Sequence, residues 1–503
     1  MRAAGRDWRR RGSMAAAVLA AASIAVAATV AQAADEPAES AESAESAEPG
    51  DGPLYVDPAS SGQPYGDVVP GVLTFRGNPT RSYYGTGPIA DHPRVLWSFP
   101  EEGGLCSISV VEQAQHGGIR KWCGTGWTGQ PAVFERDGRT WVAVGTYDQQ
   151  VHFLDAETGE QVLDPYRTRD LIKGSVTVDP DGYPLLYTGS RDNYLHVVAL
   201  DRAEPTALWR LWSYDSPELL WNDDWDPSPL IVGDYLVTGG ENGRWYVVKL
   251  NRSYAADGKV TVDPEVVVDL PGWDEKLLAD LDGFIYPTMV SIEDSVAMSG
   301  SVVYFDNGGG LVQGWDLAAV PGGGEPERVF RFWTGDDGDP SPVIDEEGFV
   351  YKGVEYKRQT PRSHEVGQLI KLDPSKPDDP LVWSVPVRQY VEDGVWATPA
   401  IYQDLVLAPT DDGRLLGIDR ADGTIRWSKR LAEPLWSSPV VVDDVLVQGD
   451  CRGVLHGFDL SDTSLEPKEI WQVQLDGCIE STPAVWEGRM YVGARGGKIY
   501  AIG

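Results

Sequence analysis

Two acidic segments of the chain carry the residue types that could bind a metal ion. Asp224 and Asp226 alternate with Trp225 in one segment, and Asp337 and Asp339 flank a glycine in the other. A hard cation such as Ca²⁺ takes about six to eight oxygen ligands, which closely spaced carboxylates supply. Neither segment has the Asp-x-Asp-x-Asp-Gly pattern of an EF-hand, so these four aspartates are weak metal candidates. Trp225 is the stronger indication, because an indole among carboxylates suits a sugar or a cationic ligand.

The overall charge weakens the metal interpretation and excludes some partners. The 503 residues include 42 Lys and Arg against 77 Asp and Glu, which gives a net charge of −35. In so acidic a chain, carboxylate clusters commonly do no more than hydrate loops. The same charge excludes a nucleic-acid binder that works by neutralising phosphates, and it argues against docking on anionic lipid.

Motifs of known catalytic chemistry are missing from the sequence. It contains no Gly-x-Ser-x-Gly, no Cys-x-x-Cys and no Cys-x-x-Cys-His for haem attachment. His152 and His456 each fall three residues before the Asp that ends a predicted strand. That is a packing position, so we interpret both histidines as structural.

The elements that must position these residues belong to a repeat of 40 to 58 residues. Each copy begins with a polar cluster and a hydroxyl residue, usually followed by Pro, and continues with four short strands. The copies begin at Gln130, Ser175, Ser228, Tyr286, Ser341, Thr398, Ser438 and Thr482. Four strands at this period predict an all-β fold, an eight-bladed β-propeller of four-stranded antiparallel blades.

The eighth copy ends at Gly503 after only three strands. The fourth-strand pattern occurs instead near the start, at residues 94–99 around Trp97. We predict that this N-terminal strand completes the C-terminal blade beside residues 498–502, so that the propeller of residues 94–503 has no open sheet edge. Residues 54–93 are expected to be a lead-in that packs on the propeller.

One face of such a propeller collects the loops that lead into the blades and the turns between second and third strands. The positions three residues before the repeat Pro, or its equivalent, form a ring around the channel mouth: Thr128, Lys173, Asp226, Phe284, Asp339, Trp396, Trp436 and Glu480. Aromatic faces with a few charged groups suit a ligand site. The side chains predicted to bind a ligand are Lys173, Trp225, Asp226, Asp339, Trp396, Trp436 and Glu480. The alternative is that they only fill and hydrate the mouth.

A second ring of hydroxyl residues lies just before the repeat Pro. Its members are Ser175, Ser228, Ser341, Thr398, Ser438 and Thr482. Short hydroxyl side chains commonly bond to nearby backbone groups. We therefore predict that this ring is structural and joins the backbones of neighbouring blades.

The runs DRADGTIRW at residues 419–427 and LDAETG at residues 154–159 resemble the repeat of the quinoprotein-like (PQQ-like) propellers. That superfamily includes bacterial quinoprotein dehydrogenases and BamB. The lead-in run FRGNP at residues 75–79 also resembles a segment that precedes such propellers. The resemblance implies the fold, and a dehydrogenase of this kind would imply PQQ and Ca²⁺. Because the sequence lacks the adjacent cysteines and the haem motif of many such enzymes, we predict no cofactor.

The N-terminal residues read as an export signal. Residues 1–33 combine an arginine-rich head, an Ala-rich apolar stretch and a small-residue cleavage site, and residues 34–53 form a disordered acidic spacer. General secretory and twin-arginine export both remain open. We expect no membrane span after cleavage, and no lipid anchor, since the first Cys after the apolar stretch is Cys106.

Four cysteines in an exported chain predict two disulfides. Cys106 and Cys123 fall in the long loop that leads into blade 1, and Cys451 and Cys478 lie on the same face of blades 7 and 8. We therefore predict the pairs Cys106–Cys123 and Cys451–Cys478. A pairing between the two regions stays open, because blade 1 also adjoins blade 8.

Together these patterns favour a non-catalytic, monomeric binding or scaffold propeller that is secreted or held in the cell envelope. Its partner would be a protein or a carbohydrate, not nucleic acid. A PQQ-dependent dehydrogenase is the first alternative, and a polysaccharide-active enzyme is the second. The sequence does not assign any catalytic residue.

Overall fold

A computed structural model describes residues 53–111, 118–388 and 394–503. The predicted export signal lies outside these residues, as does the predicted spacer apart from Pro53. In the described part of the chain, no helix has the length and apolar character needed to cross a membrane.

Eight antiparallel sheets follow one another along the chain, which confirms the predicted eight-bladed propeller. Blade 1 consists of the strands Ala132–Arg136, Arg139–Thr146, Gln150–Asp155 and Gln161–Arg167, and blade 2 of Thr177–Val178, Leu185–Gly189, Tyr194–Ala199 and Thr206–Trp212. Blade 3 consists of Leu230–Val232, Tyr235–Gly239, Arg244–Lys249 and Glu265–Pro271, and blade 4 of Ala297–Ser299, Val302–Phe305, Leu311–Asp316 and Glu327–Trp333. Blade 5 consists of Val343–Ile344, Val350–Gly353, Leu369–Leu372 and Leu381–Val385, and blade 6 of Ala400–Tyr402, Leu405–Pro409, Arg414–Asp419 and Ile425–Arg430. Blade 7 consists of Val440–Val442, Val445–Gly449, Val454–Asp459 and Lys468–Gln474, and blade 8 of Ala484–Trp486, Arg489–Ala494, Lys498–Ile502 and Val95–Phe99.

The last blade closes as predicted. The strand Val95–Phe99 pairs antiparallel with Lys498–Ile502, with Phe99 opposite Ile499 and Ser98 opposite Tyr500. The N-terminal strand therefore fills the outer position of blade 8, and the ring has no unpaired edge at its closure point.

Packing within blades depends on a glycine of the third strand and a tryptophan of the fourth. Gly457 pairs with Trp471, and Gly417 pairs with Trp427. A side chain on either glycine would collide with the indole of its partner. The sequence therefore places Gly and Trp so that each indole lies flat over the neighbouring strand, where it is buried.

The hydroxyl ring joins neighbouring blades, as predicted, for most of its members. The N–H groups of Ser295, Ser341 and Thr398 donate to the hydroxyls of the next blade, on Ser341, Thr398 and Ser438, at 2.8–3.0 Å. The hydroxyl of Ser175 accepts from Gln130 in the same way. Ser228 instead turns its hydroxyl toward the lead-in segment, and Thr482 makes no such bond among the described residues.

The prediction for the start of blade 4 was wrong. Tyr286 lies in an insertion, and the first strand begins after Ser295 and Val296. The Ser295 hydroxyl accepts from the N–H of Ser228 at 2.9 Å, which is the ring position. The insertion carries the helix Glu275–Leu281, whose N-cap Asp274 accepts from Leu277 N–H at 2.8 Å.

The lead-in segment lies inside the ring. Residues 71–84, which we call the plug, are all buried. Its strand Gly71–Val72 pairs with blade 1, and the following strand Gly85–Thr86 pairs parallel with blade 8. Arg76 donates to Pro399 O of blade 6 and Pro439 O of blade 7. Further hydrogen bonds join the plug to blades 2 to 5, so it contacts all eight blades and closes the channel.

The remaining elements are short. They are the helix Pro361–Val366; 3-10 turns at Pro58–Ser60, Ser213–Asp215 and Val320–Gly322; a pair of strands at Ser253–Tyr254 and Val260–Thr261; and a hairpin of Cys106–Val111 and Gly118–Cys123. The hairpin stands outside the blades, in the loop that leads into blade 1. Both predicted disulfides are present, Cys106–Cys123 across the hairpin and Cys451–Cys478 between blades 7 and 8.

Candidate functional site at the channel mouth

The loops leading into the blades and the turns between second and third strands meet on one face, around a region that we call the mouth. Lys173, in the loop leading into blade 2, reaches Glu241, in such a turn of blade 3, with Nζ 2.7 Å from Oε1. Trp436, in the loop leading into blade 7, donates from Nε1 to Asp411 Oδ1 of blade 6 at 3.1 Å. The mouth is therefore built from several blades at once.

Around Lys173, three buried carboxyl groups converge. Its Nζ lies 2.5 Å from Asp226 Oδ2, 2.7 Å from Glu241 Oε1 and 3.3 Å from Asp224 Oδ2. These four residues form the Lys173 cluster. Burial alone would lower the pKa of Lys173, but the charges of its carboxylate neighbours outweigh burial and hold it well above its usual value. Lys173 is therefore a permanent cation.

A second cluster repeats this arrangement two blades further along the ring. Lys357 Nζ lies 2.8 Å from Asp337 Oδ2, 3.0 Å from Glu355 Oε2 and 3.8 Å from Asp339 Oδ2. These four residues form the Lys357 cluster. The acidic residues of the two clusters occupy equivalent positions. In each cluster, two aspartates come from the loop leading into a blade, and one glutamate comes from the turn between the second and third strands of the same blade.

Within each cluster, the carboxyl groups lie close to one another. Oxygens of Asp339 and Glu355 approach within 4.8 Å, as do oxygens of Asp226 and Glu241. Burial and the charge of Asp339 raise the pKa of Glu355 well above its usual value. Burial raises the pKa of Asp226 likewise, and the charge of Glu241 adds to it. In each cluster, burial and a neighbouring carboxylate therefore disfavour the ionised form of one acid.

Sequence reasoning missed Glu293, which takes the ring position predicted for Phe284. Glu293 lies three residues before Val296; it is half-buried, and the charges of both clusters act on it. Its pKa lies well above the usual value, mainly because of burial and then because the charges of Asp339 and Glu241 raise it further. The signal was present, because Ser295-Val296 repeats the Ser175-Val176 pattern of blade 2. Phe284 itself is half-buried in the insertion.

Tryptophans form the opposite side of the mouth. Trp396 and Trp436 stand nearly perpendicular, with ring centroids 4.5 Å apart, and Trp127 of blade 1 stacks on Trp396 at 6.0 Å. The Trp396 indole donates to Asp339 Oδ2 at 2.6 Å. Beside them lies a cavity of about 480 Å³, lined by Ile285, Tyr286, Glu355, Lys357, Trp396, Asp411, Pro434 and Trp436.

Two other predicted residues lie in different surroundings. Trp225 is only 1% exposed and packs among core side chains, with its ring centroid 5.2 Å from that of Tyr246. It is therefore unavailable to a ligand, contrary to the prediction. Glu480 lies at the mouth near blade 8 and pairs with Arg495 Nη1 at 3.0 Å.

The histidines that the sequence indicates as structural are engaged within their own blades. His152 Nε2 lies 2.9 Å from Asp148 Oδ2. His456 lies between Asp450 Oδ2, at 3.2 Å, and Glu469 Oε1, at 2.6 Å. Burial alone would lower the pKa of His456, but hydrogen bonds to both carboxylates raise it. Neither histidine lines the mouth cavity.

The cofactors of a quinoprotein dehydrogenase, Ca²⁺ and PQQ, need free carboxylates and free cations at the mouth. The metal candidates Asp224, Asp226, Asp337 and Asp339 do converge with Glu241 and Glu355 in two sets that could hold a metal ion. However, an ammonium group already occupies the centre of each set. PQQ is a tricarboxylate, and the mouth cations Lys173, Lys357 and Arg495 are each paired with a carboxylate. With an ammonium group in each carboxylate set, these residues do not fit Ca²⁺, and the three paired cations are not free to meet the carboxylates of PQQ.

Comparisons with known proteins agree on the fold. A family model described as outer membrane protein assembly factor BamB matches residues 365–466. BamB of Shewanella oneidensis is 34% identical over 94 residues, which span 18% of this chain and only 23% of that protein.

Among solved structures, BamB from Moraxella catarrhalis aligns with a TM-score of 0.53 and 15% identity, over 79% of this chain and 98% of that one. A europium-containing methanol dehydrogenase aligns with a TM-score of 0.59 and 12% identity, over 86% and 98%. Quinohemoprotein alcohol dehydrogenase from Comamonas testosteroni aligns with a TM-score of 0.56 and 14% identity, over 86% and 80%. At these identities the structural likeness concerns the fold. The chain is an eight-bladed β-propeller. In build it is similar to BamB.

Proposed function

We propose that this chain is an exported, monomeric propeller of the cell envelope that binds a partner protein at its mouth and catalyses no reaction. The distribution of exposed apolar side chains carries the proposal. Around the mouth, the loops leading into blades 1, 3 and 4 expose large apolar side chains, which we call the mouth rim: Ile108, Val110, Ile119, Trp212, Tyr214, Ile285 and Tyr286. Exposed aromatic and aliphatic groups collected on one face are typical of protein interfaces.

Apart from the mouth rim and the fourth strands, the described residues expose only four large apolar side chains: Tyr55, Val68, Tyr254 and Leu465. Exposed aliphatic side chains of the fourth strands, such as Val329, Val382 and Ile470, occur one or two per blade around the outer edge. Single apolar side chains at this spacing are ordinary on soluble proteins. The similarity to BamB, an outer membrane protein assembly factor by its description, supports an envelope location and a protein partner.

Neither enzymatic alternative finds support at the mouth. A PQQ-dependent dehydrogenase would need cations that are free to meet the cofactor's carboxylates, and those named above are paired. A glycoside hydrolase needs two carboxyl groups about 5 Å or more apart with separate roles. Here, oxygens of Asp339 and Glu355, and of Asp226 and Glu241, lie within 4.8 Å of each other, and a lysine ammonium contacts each pair.

Site-specific photo-crosslinking in native envelopes tests the proposal. A photoreactive residue at Ile285 or Ile119, which are 53% and 73% exposed, should capture the same protein. Ile285→Asp combined with Trp212→Asp should abolish that capture from position 119. Leu465 supplies the matched control, because it is 61% exposed in a turn between third and fourth strands, on the opposite face.

Equal capture of the same protein from positions 465 and 285 would remove the mouth rim as the binding face. Calorimetric titration with PQQ and Ca²⁺ tests the other half of the proposal. No binding heat is expected, and tight binding accompanied by dye reduction would establish the dehydrogenase instead.

A further inference from the structure

We infer that the mouth cavity binds a primary alkylammonium group, presented by a lysine side chain of the partner or by a free amine. The inference rests on the proposed function only in taking the mouth as the binding face. The cavity holds about 480 Å³ and is lined by two indoles, a phenol, two acidic side chains and Lys357. That volume falls within the range of about 300–1,000 Å³ for small-molecule sites.

The aromatic walls form a corner and not a flat platform. Trp396 and Trp436 meet at 83° with their centroids 4.5 Å apart, and Tyr286 lines the same cavity. A sugar ring stacks best on one extended aromatic face. A compact cation is instead stabilised by several ring faces directed at one point. The geometry therefore favours a cation over a carbohydrate.

The chain's own lysine demonstrates this preference. Lys357 Nζ lies 5.6 Å from the centroid of the Trp396 ring, within the range of a cation–π contact. Asp337 Oδ2 balances its charge at 2.8 Å, and Glu355 Oε2 lies 3.0 Å from the same nitrogen. The charge of Lys357 is therefore already balanced when an ammonium group enters the cavity, and that group binds on the side lined by Trp436 and Asp411.

The acidic lining supplies acceptors for the N–H groups of a primary ammonium. Oε1 of Glu355 is buried and receives no hydrogen bond from the described residues. The residue itself is 4% exposed and lines the cavity. Asp411 Oδ1 accepts one bond from the Trp436 indole at 3.1 Å, which fixes that carboxylate at the cavity wall. A neutral alcohol of equal size would gain the apolar contacts without the charge interactions.

Isothermal titration of the full chain with n-butylammonium chloride tests the inference, with n-butanol and glucose as neutral comparators at equal ionic strength. Butylammonium should bind at least about 10-fold more tightly than butanol, from cation–π and charge interactions together. Trp436→Leu should weaken butylammonium binding about 10-fold, whereas Trp436→Phe should retain most of it. Tyr254→Leu, at an exposed aromatic side chain outside both the cavity and the mouth rim, should bind like the unmodified chain.

Melting temperatures of all variants identify any that misfold, and Asp411→Asn then provides a second test with the indole intact. Equal binding of butanol, glucose and butylammonium would overturn the inference, as would unchanged binding in a folded Trp436→Leu chain.

Lysine-containing peptides and their acetyl-lysine counterparts separate the sources of the group. Tighter binding of the lysine peptide than of butylammonium indicates a protein partner, and the reverse order indicates a free amine. Loss of ammonium binding with intact crosslinking at the mouth rim would leave the proposed function standing.

Discussion

The ammonium group of Lys173 lies 2.5 Å from Asp226 Oδ2 although the two residues belong to loops leading into different blades. Both side chains are nearly inaccessible to solvent. The pair therefore joins blades 2 and 3 by charge, and the ammonium group lies among three carboxylates that are close enough together to share a metal ion.

Replacing that lysine should convert the cluster into a metal-dependent one. Lys173→Ala leaves Asp224, Asp226 and Glu241 without their ammonium group, and loss of one partner of a buried ion pair costs about 3–5 kcal/mol. Millimolar Ca²⁺ should then raise the melting temperature of the variant, whereas the unmodified chain should respond little. Differential scanning calorimetry with and without Ca²⁺ measures both. Lys276→Ala, at an exposed helical pair, is the control. A Ca²⁺ response in the unmodified chain as large as in the variant would contradict the internal-cation account.

The plug should be a major source of stability. Arg76→Met keeps most of the side-chain volume but leaves the carbonyl groups of Pro399 and Pro439 buried without their donor. Each unsatisfied buried acceptor costs about 1–3 kcal/mol, so we expect a loss of about 2–6 kcal/mol and a clearly lower melting temperature. The matched change Arg139→Met, at a side chain that is 57% exposed, should cost less than about 0.5 kcal/mol. Similar melting temperatures for the two variants would show that the plug contributes little.

The two disulfides should differ in their effect on the ring. Cys451–Cys478 joins blade 7 to blade 8, so replacing both residues by Ser should destabilise the fold by about 3 kcal/mol. Cys106–Cys123 lies across a hairpin outside the blades, which can open while the ring stays folded. The Cys106→Ser, Cys123→Ser chain should therefore melt close to the unmodified chain. The opposite order of melting temperatures would be inconsistent with this distinction.

Stability should fall as the pH rises from about 4 to 8. Burial raises the pKa of Asp294 to about 8 and that of Asp306 to about 7, against an unfolded value near 3.8. The folded chain therefore holds protons that the unfolded chain releases in this range. Their stabilising contribution is complete below pH 3.8. It is lost progressively as the pH rises to 7 for Asp306 and to 8 for Asp294, by about 1.4 kcal/mol per pH unit for each group.

Asp294→Asn should remove part of that slope, because an amide does not titrate. Melting temperatures recorded across the same pH range check this, with Asp257→Asn at an exposed loop as the control. A slope that is unchanged in Asp294→Asn, or stability that rises toward pH 8, would show that these carboxyl groups are ionised in the folded chain.

The repeat made most of the architecture predictable. Strand period and turn composition are local properties, so blade number and the closing strand around Trp97 follow from the repeat. The positions of the cysteines in the loops favoured the two disulfide pairs, but they left a pairing between the two regions open. Blade 4 was misplaced because Val296 stands where most copies have Pro, while the insertion offers a misleading Tyr286-Pro287. The hydrophobic pattern cannot separate such a chance match from a true strand start.

The site was predictable only in part, for geometric reasons. Asp224 and Asp226 face the same cluster, and side chains alternate along an extended segment, so Trp225 must point the other way, into the core. That inference was available from the sequence. The convergence of Lys357 with Glu355 depends on loop conformations that spacing does not encode.

The plug makes the mouth a blind recess. Because residues 71–84 fill the axis of the ring, a bound molecule must leave by the side from which it came, and no polymer can be threaded from one face to the other. Whatever meets the mouth can insert a side chain, a chain end or a small molecule, but not the middle of a strand passing through. The mouth therefore recognises groups that protrude from a partner, and the plug sets how deeply such a group can enter.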